Sequence, residues 1–127
     1  IRNPCLTPFE TPSFIDIPAH SAPLGLAFIP EDPPVDEAGG WGEEDWYDLL
    51  VSYHGSWNRS DATGYKIVRM KIDAKGNYTG TEDYITGWLT ESGEKLGRPV
   101  DIRIFSGGVI YVTDDSNGLV YRIDRTN

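Results

Sequence analysis

Apolar positions in this chain come in short bursts divided by turn residues. Leu24 to Ile29, Asp48 to Tyr53, Tyr65 to Ile72, Asp83 to Leu89, Val100 to Phe105, Val109 to Thr113 and Leu119 to Ile123 each read as a strand. No stretch sustains the three-to-four-residue period of an amphipathic helix, so seven short strands predict an all-β fold. Residues 1–19 are rich in proline and poor in periodicity, which reads as a connector, although Ser13 to Ile17 could pair as an edge strand. Between the first two strands, residues 31–46 carry Pro33-Pro34, Gly39-Gly40 and a cluster of carboxylates and read as a solvated acidic insertion. An EF-hand needs ligands at alternating positions and a closing glutamate, and that register is missing here.

The strands repeat in order. Leu24 to Phe28, Leu49 to Ser56 and Gly64 to Asp73 are followed by Val100 to Phe105, Val109 to Ser116 and Gly118 to Asp124, which sets His54 over Asp114. The first unit, residues 20–96, adds a fourth strand, whereas the second, residues 97–127, ends after its third. Four strands and then three is the pattern of a β-propeller whose last blade takes its outer strand from the other end of the chain. A seven-stranded sandwich would leave the repeat unexplained.

Composition narrows the function classes. With 127 residues and a formal net charge of -9, the chain suffices for one small domain but not for a closed propeller. Eleven lysines and arginines stand against 20 acids and form no cluster, which argues against nucleic acid as a partner. No apolar run is long enough for a membrane span. The start at Ile1, with no signal segment, suggests a processed or partial polypeptide. The lone Cys5 is either a free buried thiol or the disulfide partner of a cysteine outside this chain. Asn58-Arg59-Ser60 and Asn77-Tyr78-Thr79 are sequons, and Asn77, in a hairpin turn, is the better placed for glycosylation.

In a propeller, ligands meet the start of each innermost strand and the turn after each second strand. Those positions hold His20-Ser21, Gly97-Arg98-Pro99, His54 to Arg59 and Asp114 to Asn117. His54, Trp57, Asn58 and Arg59 gather an imidazole, an indole, an amide and a guanidinium within six residues. An indole covers an aromatic face and a guanidinium pairs with planar carboxylates, so the set suits a flat, acidic ligand. The competing structural role has Trp57 plugging the core and Arg59 pairing with a surface acid. Arg98 is expected on the same face, where two converging guanidiniums would call for a polyanion. Two histidines are too few for a catalytic zinc site, and no G-x-S-x-G elbow supports a hydrolase. Asp114 to Gly118 could hold calcium, yet Asp and Asn before Gly is also how a hairpin closes.

His20 to Phe28, His54-Gly55-Ser56-Trp57-Asn58-Arg59-Ser60, Gly64 to Val68, Gly97 to Asp101 and Tyr111 to Asp115 together resemble the C-terminal third of quinoprotein sugar dehydrogenases of the sorbosone and pyranose dehydrogenase type. The resemblance covers about residues 14 to 125. It implies the last two blades of a six-bladed β-propeller that holds pyrroloquinoline quinone (PQQ) and calcium, oxidises a sugar carbinol to a lactone or ketone, and passes electrons to a cytochrome or soluble acceptor. By matching motif, His54, Trp57, Asn58, Arg59 and Arg98 would face the cofactor. The general base and most calcium ligands of the family lie in earlier blades, so no catalytic residue and no metal ligand is expected here. The chain alone would be inactive and would need the remaining blades. Secretion, extracellular or periplasmic, fits the sequons and the acidic surface. A non-catalytic propeller that only presents a binding face, and a lactonase-like hydrolase propeller, are the competing readings.

Overall fold

A computed structural model describes residues 13–32 and 40–125. The Cys5 alternatives and the Pro33-Pro34 and Gly39 part of the insertion lie outside the described residues. Seven strands form: β1 (Pro23–Phe28), β2 (Leu49–Tyr53), β3 (Lys66–Ile72), β4 (Tyr78–Ile85), β5 (Pro99–Phe105), β6 (Val109–Asp114) and β7 (Leu119–Asp124). They make two antiparallel sheets, β1-β2-β3-β4 and β5-β6-β7, and no helix occurs among the described residues.

Six strands lie within a residue or two of the expected ranges; the fourth does not. It runs over Tyr78–Ile85 rather than Asp83 to Leu89. The cause is the turn before it. The Asp73 N–H donates to Asn77 O at 2.9 Å, and Gly76, at φ 82°, donates to Asp73 O at 2.8 Å, so the chain reverses at once. The strand that follows is a polar edge with mostly exposed side chains, which leaves no apolar run to mark it. The apolar Trp88 that suggested a later strand instead plugs the core from a loop, edge-on to Tyr121 with ring centroids 5.7 Å apart. Ser13 to Ile17 forms no edge strand either. Ile15 and Ile17 instead cover Val51, Tyr53, Val68 and Met70 on one face of the first sheet.

The alternation of side chains along each strand divides the molecule into layers. Leu50 and Ile67 of the first sheet meet Ile102, Ile110 and Val112 of the second, with Ile29, Trp41, Tyr65 and Trp88 completing this central core. β1 and β5 come so close that a Cβ on Gly25 would lie 2.4 Å from the carbonyl oxygen of Val100, so only glycine fits. Ser52 seals the junction. Its hydroxyl accepts from the Gly25 N–H at 2.8 Å and donates to Val100 O.

The repeat read from the sequence is a repeat of register. Phe28 pairs with Leu49 and Leu26 with Val51, as Phe105 pairs with Val109 and Arg103 with Tyr111. Each first hairpin slips once just after its opening proline, at Pro23 and at Pro99. Opposite these prolines stand the last residues of β2 and β6, Tyr53 and Asp114, so His54 follows one residue beyond the place that Asp114 holds.

The insertion expected to be solvated is anchored at both described ends. Buried Asp32 accepts from the N–H groups of Trp41 (3.3 Å) and Gly107 (2.7 Å), and the Trp41 indole donates to Phe105 O at 3.0 Å. Buried Asp45 pairs with Arg125 and with Arg69, the latter at 2.6 Å. Arg69 also holds Asp48 at 2.6 Å, and the Asp48 carboxylate accepts the Ile72 N–H at 2.7 Å. Burial works against the charged guanidinium of Arg69, but Asp48, Asp45 and Glu82 outweigh it and raise its pKa.

Candidate functional site

The segment that follows β2 is shaped by a glycine and a tyrosine. Gly55 has φ 99°, and a Cβ there would meet the Tyr65 ring at 2.5 Å, so the loop can lie flat on that ring only without a side chain. A Cβ on Gly64, at φ 89°, would meet the Gly55 Cα at 2.7 Å. Backbone bonds pin the loop's base: His54 N–H to Ala22 O at 3.0 Å, Gly55 N–H to Ser21 O at 3.0 Å and Ser56 N–H to Thr63 O at 2.8 Å. The Ser56 hydroxyl returns a bond by accepting from the Thr63 N–H at 3.1 Å.

Arg98, between β4 and β5, reaches across to this loop. Its guanidinium donates to His54 Nδ1 (3.2 Å), Gly55 O (3.4 Å), Ser56 O (3.2 Å) and Tyr65 Oη (3.1 Å), and lies 5.2 Å above the Tyr65 ring. Tyr65, fully buried, donates its own hydroxyl proton to Ser56 O. Lys95 approaches the same ring at 5.6 Å. Arg98 therefore fastens the second sheet to the His54 loop. Its charge is spread over neutral acceptors and an aromatic face.

The backbone N–H of Arg98 donates to Asp114 Oδ1 at 3.1 Å. Asp114 is buried and collects further donors: Ser116 N–H (2.9 Å), Asn117 N–H (3.2 Å), Asn117 Nδ2 (3.1 Å) and Tyr121 Oη (3.1 Å). Burial pushes its carboxyl up, but the N–H of Arg98 and the donors of Asn117 and Tyr121 outweigh burial and leave the pKa below the ordinary value. Residues 114–118 thus close the β6–β7 hairpin around one carboxylate. The next residue, Asp115, accepts from His54 Nε2 at 2.9 Å.

Beyond this base, Trp57, Asn58 and Arg59 are exposed, Trp57 to 80%. Trp57 is not a core plug. Among the described residues no hydrogen bond or ion pair engages Arg59. The structure thus joins His54 to Arg98 and presents Trp57, Asn58 and Arg59 outward, while the two guanidiniums share no ligand of the protein. Arg59 is exposed, whereas the Arg98 guanidinium is engaged at the loop's base. His20 is exposed with φ 68° and contributes through the carbonyls of its neighbours Ser21 and Ala22.

Sequence reasoning set Asp114 to Asn117 on the same face as His54 and Arg98 but did not foresee their bonds to the Arg98 N–H and to His54. It missed Tyr65, which reads as the start of a core strand; only its approach to Arg98 across two sheets reveals it. Among the described residues, no group of three or more His, Cys, Asp or Glu could hold a metal ion. The arrangement sets an indole face, an amide and a guanidinium, all exposed, on a loop whose base is bonded to both sheets.

Paired antiparallel sheets bearing an arginine-anchored aromatic loop define an all-β protein. The chain belongs to the TrAA12-like family, whose model matches residues 3–126. It is 38% identical to an uncharacterized protein of Borreliella burgdorferi, over 88% of this chain and 28% of that protein. It is 31% identical to a pyrroloquinoline quinone-dependent pyranose dehydrogenase of Coprinopsis cinerea, over 86% of this chain and 16% of that enzyme. Among solved structures, the holo form of the pyranose dehydrogenase PQQ domain from Coprinopsis cinerea is similar at a TM-score of 0.57 and 30% identity, covering 84% of this chain and 27% of that one. A family AA12 carbohydrate-active enzyme of Trichoderma reesei, in an iodide structure, matches in fold at a TM-score of 0.64 and 21% identity, over 85% and 26%. The chain thus spans about a quarter or less of the curated relatives it matches.

Proposed function

We propose that this chain forms part of the quinone site of a PQQ-dependent sugar dehydrogenase of the sorbosone or pyranose type, as the last two blades of a six-bladed propeller. The observation that carries the reading is the Trp57 indole, 80% exposed on a loop whose base is fixed by Arg98, Tyr65 and Gly55. A tryptophan so exposed on so rigid a stalk is placed to be covered by something flat. The similarity to the Coprinopsis PQQ domain supports the same reading.

PQQ is a planar tricarboxylate quinone that, when bound, accepts a hydride from the sugar. In this chain Trp57 would cover a ring face, Arg59 would pair with a carboxylate and Asn58 would supply an amide. His54 and Arg98 would hold the loop at its working height. Proton abstraction from the sugar hydroxyl would fall to a residue of the other blades. Calcium would be held mostly by ligands outside this chain, and sugar, electron acceptor and secretion follow from the same proposal. The test is reconstitution of the complete protein with PQQ and calcium, followed by sugar-dependent dye reduction. Sugar oxidation that requires both is expected; quinone-independent ester cleavage, or no redox activity with any pyranose, would overturn the assignment.

A further inference from the structure

Both ring nitrogens of His54 are already in use. Arg98 carries only donors, so His54 Nδ1 at 3.2 Å must be the acceptor and the ring proton sits on Nε2. That proton points at Asp115 Oδ1, 2.9 Å away. The two contacts engage the nitrogens on either side of Cε1, so together they hold the ring and exclude the flipped ring, in which carbon would stand where each nitrogen is. Neither partner could do this alone. With Arg98 only, the ring could pivot about Nδ1.

The geometry that aims Asp115 is built by its neighbour. Asp114, buried, gathers the N–H groups of Ser116 and Asn117 and so locks the hairpin on which Asp115 stands. Asp115 itself is 61% exposed, while the His54 side chain is 17% exposed. An exposed carboxylate paired with a free side chain contributes little to stability. Here it meets a half-sheltered ring already tied to Arg98, so its effect is on orientation. With both ring nitrogens engaged, His54 serves the loop as a fixed wall.

We infer that Asp115 is a positioning residue for the cofactor-facing loop, acting through His54 and Arg98 on the setting of Trp57, Asn58 and Arg59. The inference rests on the quinone reading for its functional consequence, but not for its geometry. In the complete protein, Asp115→Asn keeps an acceptor oxygen and Asp115→Ala removes it. Nitrogen-resolved NMR of histidine-labelled protein reads the His54 Nε2 proton, assigned by its loss in His54→Gln. PQQ titration reads affinity, and thermal unfolding reads the fold. A slowly exchanging Nε2 proton is expected in the wild type and Asp115→Asn, and an exchange-broadened one in Asp115→Ala. Affinity for PQQ should fall about tenfold in Asp115→Ala, the scale of one lost hydrogen bond, with Asp115→Asn within about threefold and the melting temperature unchanged. The inference is overturned if Asp115→Ala keeps a protected proton, if it binds PQQ as the wild type does, or if Asp115→Asn falls as far as Asp115→Ala. Failure of the wild type to bind PQQ at all would instead refute the quinone reading, and the proton spectrum would still decide the role of Asp115.

Discussion

Gly55 is where one residue's stereochemistry sets the height of the whole loop. At φ 99°, with a Cβ reaching to 2.5 Å of the Tyr65 ring, Gly55→Ala combines backbone strain with a clash against a fully buried aromatic. A loss of about 2–4 kcal/mol is expected in urea unfolding of the complete protein. Asp114 gives the pH dependence. Its carboxyl titrates below the ordinary value when folded, so its stabilising contribution is complete above the unfolded pKa of about 3.9 and is lost as pH falls through the folded value. Between those limits the wild type should lose stability on acidification more steeply than Asp114→Asn, a difference that denaturant titrations at a series of pH values would measure. The residues that touch one another here were only partly legible in the sequence. His54 and Arg98 stood out by chemistry and by their place beside strand ends. Asp115 stood at such a strand end too, but its bond to His54 did not show, and Tyr65 did not stand out at all, because nothing local distinguishes a strand-opening tyrosine from one that meets an arginine of the other sheet.

Among the elements, β3 is held by more than its ladder. Arg69 binds buried Asp45 and Asp48 while itself only 12% exposed, and Asp45 also takes Arg125 from the end of the second sheet. Arg69→Ala would leave two buried carboxylates short of their partner, at an expected cost of about 3–5 kcal/mol. Arg69→Lys should recover little, since an ammonium cannot span both carboxylates as the guanidinium fork does. Chemical denaturation of the three proteins would check both. The same elements explain which strands the sequence discloses. Strands buried on one or both faces, such as β2 and β6, carry apolar residues where the core demands them. β4 lies at a sheet edge with polar residues outward, and its position follows from the Asp73 to Asn77 turn rather than from any pattern of its own. The described ends of the acidic insertion, read as solvated, are tied down by Asp32, Trp41 and Asp45 through contacts with the second sheet that no local composition announces.

At the scale of the whole molecule, the two sheets pack around one core and meet again at the His54, Arg98 and Asp115 junction, so the loop is braced by both units. The repeat of register between the hairpins was visible as a repeat of sequence, and it carried the reading of the fold further than any single motif. One outer face of β1, with Leu24, Leu26 and Phe28 more than half exposed, fits a chain that covers about a quarter of its solved relatives. The central claim, that Trp57, Asn58 and Arg59 are presented to a planar anionic quinone, is tested most directly by titrating the complete protein with PQQ and following the quinone absorbance, for the wild type and for Arg59→Ala. The account predicts saturable binding by the wild type and an affinity about 10- to 100-fold weaker for Arg59→Ala, the scale of lost charge-assisted hydrogen bonds. Equal affinities for the two proteins would contradict it.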